Sequence, residues 1–370
     1  MKLLVIGSDR NLFKEGSDVW NRYLDYGKLF QEIHVIVFSG KKLKNQKTKI
    51  GENIFVYPTN HFCKLFYLWG IYKISKSIIL NKDIVISSQD PFEAGLAGWM
   101  LKKIYNLSLQ IQIHTDFLSP YFWQESFLNK FRVSLAKFII PRADKIRVVS
   151  ERIKHSLISN FKPSILNRII VLPIFVDVEV IKTAPIKTDL HKKYPQFNFI
   201  ILMSSRITKE KNIGLAIEAM SELVKKHPKL GLIIVGSGSE EARLKYLVLR
   251  LKINNSVVFE GWSDDLVSYY KTADLFLLTS NYEGYGRTVI EAMAAGLPVV
   301  TTDVGLAGEV LKNKENGIVV PVGDESAMIR EVDFLMSNTE ELVYFSKNSI
   351  KVSENLMTKE RYLKLYKQII

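Results

Sequence analysis

Short apolar runs alternate along the whole chain with longer amphipathic stretches, and that rhythm is the pattern of βα units wound around parallel sheets. In the first half it predicts strands at Lys2–Gly7, His34–Phe38, Ile54–Tyr57, Ile84–Ser87, Leu109–Ile113, Lys145–Val149 and Ile169–Leu172. Helices are predicted between them, among them Gly16–Phe30, Phe92–Tyr105 and Ser126–Ile139. Asp177–Pro195, a looser stretch with Lys, Pro and Thr, has no strong periodicity and reads as an interdomain linker. A second series follows, with strands at Phe199–Ser204, Gly231–Val235, Val257–Glu260, Leu275–Thr279, Pro298–Thr301 and Gly317–Val320. Its helices are Ile213–His227, Glu240–Leu251, Asp264–Lys271, Arg287–Ala295 and Glu325–Leu335, and Glu341–Ile370 reads as two more.

At 370 residues the chain is too long for one ordinary domain and suits two, each able to bury its own core. The expected architecture is α/β, with two Rossmann-like doubly wound domains over residues 1–180 and 181–354. They are expected to face each other across a cleft at the carboxyl ends of their strands, where such sheets bind ligands. The C-terminal helix, about 355–370, is expected to pack back on the first domain.

The single cysteine, Cys63, rules out an intrachain disulfide and any cysteine-built metal site, and it suits a reducing, cytoplasmic setting. The apolar run after Met1 meets charges too soon for a signal peptide. No stretch approaches the roughly 20 apolar residues of a membrane span; the nearest, around Phe62–Leu80, is broken by Lys64, Lys73 and Lys76. The net charge of +13 is uneven: residues 1–180 hold 26 of the 51 Lys+Arg but only 15 of the 38 Asp+Glu. Lys41–Lys49 is a lysine-dense loop, and aromatic residues interleave with lysines over Phe62–Lys76 and Tyr121–Lys137. Such a half can meet an anionic partner, or its lysines can simply solvate helix faces. No base-reading motif is present, so no nucleic acid is expected. Anionic lipid remains.

Chemistry concentrates in Glu-Gly-Tyr-Gly-Arg-Thr-Val-Ile-Glu, Glu283–Glu291. A strand ends, a loop with Gly284 and Gly286 follows, and a helix begins near Arg287. The glycines allow close backbone approach and positive φ, and the helix start offers N–H groups and a positive dipole end to an anion. Glu283 and Glu291 can accept hydrogen bonds from hydroxyls on either side of it. Arg206 and Lys211 follow the first strand of the second series, where a guanidinium fork and an ammonium suit phosphate oxygens. They can also stabilise a diphosphate as it departs and gains charge.

These elements together resemble the retaining glycosyltransferases of family 4, which have the two-domain GT-B fold. The Glu-x7-Glu segment, the Arg-x4-Lys pair and the run Ala295–Gly305 carry the resemblance. Glu309-Val310, Asn316-Gly317 and Val320–Asp324 extend it in the family's order. It implies that Glu283 contacts the donor sugar and Glu291 the ribose hydroxyls. Arg206 and Lys211 would hold the diphosphate, with the backbone around Gly286, Arg287 and Thr288; Gly284 and Tyr285 belong to the same loop. Val258–Gly261, with Phe259, looks like the loop lining the nucleobase, and Gly236-Ser237-Gly238 like a Gly-x-Gly after the preceding strand. Those glycines can equally form only a turn.

In the first half Gly16 lies in the loop after the first strand, where family members often have glycines. His114 ends a strand, and the family commonly carries there a histidine that reaches the transferred sugar. Asp116, at i+2, can share its side and either orient it or meet the acceptor. The resemblance implies retention without a metal or cofactor, the leaving diphosphate helping to deprotonate a hydroxyl acceptor. A UDP-sugar donor is favoured over a GDP-sugar, and a lipid-linked acceptor or surface-glycan precursor is one expectation. An NDP-sugar epimerase, a glucan or sucrose-phosphate-type synthase and a silent nucleotide-sugar-binding module are the alternatives.

Overall fold

Leu3, Leu4, Val5 and Ile6 form an unbroken apolar run, and all four are buried. A strand hidden on both faces needs helices above and below it, and parallel crossover connections supply them. The computed structural model describes residues 1–40, 46–61, 66–79 and 83–370, and the chain divides into two units.

The first unit, Met1–Leu118, Ser126–Pro173 and Lys359–Ile370, is built on an eight-stranded sheet. Its strands are β1 (Lys2–Gly7), β2 (Glu32–Val37), β3 (Thr48–Ile50), β4 (Ile54–Pro58), β5 (Ile84–Ser88), β6 (Leu109–Ile113), β7 (Lys145–Val148) and β8 (Ile169–Val171). They lie in the order β3-β4-β2-β1-β5-β6-β7-β8, parallel except for β3 against β4. The sequence reading lacks β3, which is three residues long and pairs on one side only, so it needs little apolar content.

The second unit, Ser119–Glu125 and Ile174–Thr358, carries a parallel sheet of six. Its strands are β9 (Phe199–Ser204), β10 (Leu230–Val235), β11 (Val257–Glu260), β12 (Leu275–Leu278), β13 (Val299–Thr302) and β14 (Ile318–Val320), in the order β11-β10-β9-β12-β13-β14. In each sheet the winding direction reverses once, between β1 and β5 and between β9 and β12. Loops leaving two such strands at their carboxyl ends diverge, and a crevice opens between them.

The unit boundaries differ from the expected 1–180 and 181–354. The chain leaves the first unit after Leu118, returns at Ser126, leaves again after Pro173 and returns at Lys359. Asp177–Pro195, read above as a linker, lies within the second unit. Asp177 caps the helix Val178–Thr183 and Asp189 caps Leu190–Lys193. The backbone of Lys187 and Leu190 bonds the side chains of Ser268 and Thr272 on the helix Leu266–Thr272. Helices this short carry no readable period, because their order comes from those tertiary bonds. Parts of the Lys41–Lys49 and Phe62–Leu80 segments, with Cys63, lie outside the described residues.

The helix Lys359–Ile369 belongs to the first unit and covers a polar stripe of its sheet. Arg147 of β7 is buried and donates to the Gln112 Oε1 (2.8 Å), the Leu172 and Pro173 carbonyls (both 3.1 Å) and the Tyr362 hydroxyl (3.2 Å). Gln110 donates to the Ile369 carbonyl at 2.8 Å. Tyr366 stacks on Tyr26 at 4.3 Å, and the hydroxyls of Tyr26 and Tyr362 lie 2.9 Å apart. A buried guanidinium without hydrogen bonds would be prohibitive, so the helix completes the sheet. Tyr362→Phe should therefore lower unfolding free energy by about 1–3 kcal/mol in urea titrations; wild-type stability would mean that the hydroxyl contributes nothing to the network.

Candidate active site

The break in strand order of the second sheet sets the loop after β9 opposite the loop after β12. The first carries Arg206 and Lys211, the second Glu283. Lys211 closes a short helical turn, Lys209–Lys211, and its ammonium meets the Glu283 carboxylate in a tight ion pair. Both side chains are only 13% exposed. Ser280 donates to the same carboxylate oxygen at 2.8 Å. Three further bonds join the loops: Asn281 N to the Glu210 carbonyl (2.8 Å), Asn212 Nδ2 to Asn281 Oδ1 (3.1 Å) and Thr279 Oγ1 to the Lys211 carbonyl (2.9 Å). Arg206, by contrast, is 73% exposed and pairs with Glu210 at 3.1 Å.

Gly236 explains how the Arg206 loop reaches its place. It sits at φ +140, and a Cβ there would fall 2.0 Å from the Ser205 carbonyl oxygen. A Cβ on Gly238 would meet the Ile207 oxygen at 2.1 Å. The Gly-x-Gly thus lets two backbones touch, one of them the loop bearing Arg206. Its evident work is packing that loop.

Gly286, at φ +94, starts the helix Arg287–Ala294 and makes no side-chain cap to it. Thr288 lies in the first turn. Glu291 is buried one turn in, with Tyr270 donating to one carboxylate oxygen (3.0 Å) and Arg287 to the other (2.6 Å). Tyr285 is buried, its phenol pushed up to about 12 by burial and then by Glu309, so its side chain packs inside the loop. Phe259 is half-buried, packs on the core cluster of the unit and has the Lys245 ammonium 5.5 Å from its ring centre. An apolar residue in an edge strand gives no sequence sign of which way it turns.

In the first unit the switch-point loops leave β1 and β5, and His114 follows β6. Gly16 is exposed at φ +75, just ahead of Ser17, which caps the helix Asp18–Gly27. Because β6 ends at Ile113, His114 and Asp116 lie beyond the strand and its alternation does not pair them. Asp116 is raised by burial, with the charge of Arg152 and hydrogen bonds from Ser156 and the Leu118 backbone opposing. The His114 imidazole is pushed down to about 3, first by burial and then by the charges of Arg147 and Arg22. It is therefore neutral near pH 7, able to exchange hydrogen bonds with hydroxyls and unable to act as an acid.

Sequence reasoning missed the groups that hold the site residues. Tyr270, Ser280 and Glu210 carry no signal beyond the i, i+4 spacing of Glu210 from Arg206. Asp90 was missed as well: it follows β5 at the switch point, accepts from the backbone of Phe92 and Ala94, and burial raises it to about 6. Asp-Pro after a strand reads only as a turn. Among the described residues no group of three His, Cys, Asp or Glu side chains could hold a metal ion.

Comparison with known proteins matches two family models. "Glycosyltransferase Family 4" covers residues 28–180 and "Glycosyl transferases group 1" residues 187–352. A Staphylococcus aureus capsular polysaccharide biosynthesis glycosyltransferase, CapM, is 28% identical over 321 residues, 83% of this chain and 81% of its own. A sucrose-phosphate synthase from Thermosynechococcus elongatus superposes with a TM-score of 0.83 at 21% identity, covering 100% of this chain and 99% of that one. The Anabaena protein HepE, solved with UDP-glucose, gives 0.76 at 22%, covering 100% and 98%.

The neutral His114 has a measurable consequence. Its ordinary value is near 6.5 and its folded value about 3, so between those pH values the unfolded chain binds a proton that the folded chain refuses. Stability therefore falls as pH drops through that window. His114→Gln removes this dependence, while Asp90 acts alike in both proteins. Between pH 7 and 5 the wild type should lose roughly 2 kcal/mol more than the variant in denaturant titrations. Parallel losses would show that the ring is not held neutral.

Proposed function

Because the chain belongs to glycosyltransferase family 4 and is a transferase with the GT-B fold, we propose that it moves a sugar from a nucleoside-diphosphate donor to a hydroxyl acceptor with retention of configuration. The observation that carries this reading is the Lys211–Glu283 pair, set beside the Gly286 helix start with Glu291 one turn behind. An ammonium has three donors, so Lys211 can keep Glu283 and still bond a phosphate oxygen. Arg206 supplies a second cation, and the helix dipole adds to both. Glu283 then takes a sugar hydroxyl and Glu291 the ribose.

The reaction follows from these roles. The acceptor oxygen bonds the anomeric carbon as the bond from that carbon to the diphosphate oxygen breaks, and the acceptor proton passes to the departing diphosphate. With Glu283 engaged as a sugar contact, attack comes from the face the diphosphate leaves. Catalysis rests on orientation and on the charge held at the diphosphate. This reading assigns no metal and no cofactor. A UDP-sugar comes first as donor, since HepE was solved with UDP-glucose, and a surface-glycan acceptor accords with the name of the S. aureus relative.

Glu283→Ala and Lys211→Ala should each lower transfer at least about a hundredfold while circular dichroism stays native. The assay is product formation over a panel of UDP-, GDP- and ADP-sugars, with the anomer and any epimer of the product resolved by NMR. Wild-type turnover in both variants would remove the site assignment, and epimer formation without transfer would favour the epimerase.

A second reading concerns the acceptor. No helix among the described residues is long and apolar enough to cross a membrane. The helix Phe127–Ile139 nevertheless presents Phe127 (86% exposed), Phe131 (60%) and Phe138 on one face, by the 100° step of an α-helix. Lys130 and Lys137 flank that face. Such a stripe fits the anionic surface of a membrane on its cytoplasmic side, where a lipid-linked acceptor would lie. Salt-sensitive flotation with anionic liposomes should be lost in Phe127→Ser/Phe131→Ser, and no flotation of the wild type would refute it.

A further inference from the structure

We infer that the short helix Pro120–Glu125, encoded in the N-terminal half of the chain, is a positioning element of the donor site, holding the Lys211–Glu283 pair in register through Tyr282. This rests on the roles proposed above for that pair.

The placement of the helix is the first observation. Residues on both sides of it belong to the first unit, yet Ser119–Glu125 belongs to the second. Two chain crossings are spent on one six-residue helix. Phe122 is buried, whereas Tyr121 and Trp123 are exposed.

What the helix touches is the second observation. It packs against the turn Lys209–Lys211, so it backs one loop of the pair. Toward the other loop, the Phe122 ring meets Tyr282 edge to face at 5.5 Å and 78°. The Tyr282 hydroxyl donates to Glu125 Oε2 at 2.7 Å. Tyr282 precedes Glu283, and its hydroxyl also feels the charges of Glu210 and Arg206. Burial and then the bond to Glu125 raise its phenol well above the ordinary range, which keeps it a donor. One small element therefore braces both loops whose side chains form the pair.

Physical reasoning says what that bracing does. The Lys211 and Glu283 side chains meet only if two separate loops hold their spacing. The bonds at Asn281 and Thr279 set the backbone of those loops. Tyr282 adds a lateral constraint one residue from the carboxylate. Misplacement by about 1 Å at a reacting centre costs up to a hundredfold in rate, so a lost lateral constraint reads out in turnover. Of the nucleotide contacts, Glu291, Arg206 and the helix start lie outside the pair and only Lys211 within it, so binding of UDP should change far less than turnover.

The test uses the full chain with Tyr282→Phe, Glu125→Ala and Glu125→Gln. Tyr282→Phe keeps the ring against Phe122 and removes only the donor; Glu125→Gln keeps an amide oxygen that can accept from Tyr282. Tyr282→Phe and Glu125→Ala should each lower kcat for transfer about tenfold or more. The Kd for UDP alone, by calorimetry, should stay within about twofold. Glu125→Gln should recover most of the loss, and Tyr282→Phe/Glu125→Ala should be no worse than either single variant. Wild-type kcat in Tyr282→Phe alongside an inactive Glu283→Ala overturns the inference and leaves the site reading intact. Wild-type kcat in Glu283→Ala overturns the reading itself. UDP affinity falling in parallel with kcat, with no recovery in Glu125→Gln, makes the helix a structural strut only and overturns the inference.

Discussion

Lys211 and Glu283 form an ion pair between two loops that the strand order of a parallel sheet places opposite each other. Neither loop would be there without the reversal between β9 and β12, and the reversal alone would not hold them together. Both side chains are largely out of water, where a charge needs its partner: loss of one member of such a pair costs about 3–5 kcal/mol. Ser280 completes the carboxylate's bonding. Gly236 and Gly238 let the Arg206 loop lie against its neighbour without a Cβ between them. The candidate site is thus a property of the sheet's winding, stabilised by one ion pair and bounded by close backbone contact.

The first unit solves a different problem. Leu109-Gln110-Ile111-Gln112-Ile113 alternates as a strand does, and its polar face joins Ser87 and Arg147 under the C-terminal helix. The phenols of Tyr362 and Tyr366 and the Ile369 carbonyl satisfy that face. The same buried Arg147 contributes to holding His114 neutral. Structural closure of the unit and the electrostatics of its candidate site residue therefore share one guanidinium.

Much of this was legible in the sequence. The strands from β4 to β14 begin and end within a residue or two of the runs read from sequence, because most of them are buried on both faces and therefore largely apolar. The Glu283–Glu291 loop, the Arg206–Lys211 turn and the two C-terminal helices were legible for a similar reason: glycines, charges and helical period are local. Illegible were the elements ordered by distant partners. The edge strand β3, the helix Pro120–Glu125 and the pieces within Asp177–Pro195 are too short to carry a period. Tyr285 has an ordinary identity for a loop, and only packing shows its side chain to be buried.

The sequence by itself determined the parallel α/β class, the two-fold division of the chain and the family. Each of these follows from local composition, period or motif. Tertiary structure alone decided which distant charges meet: Lys211 with Glu283 and Arg132 with Glu93. It alone carried a helix of the N-terminal half into the second unit. The physical reason is common to all of these. Ion pairing and hydrogen bonding act over a few ångströms between residues separated by tens or hundreds of positions, and no local pattern records a distance that only the folded backbone creates.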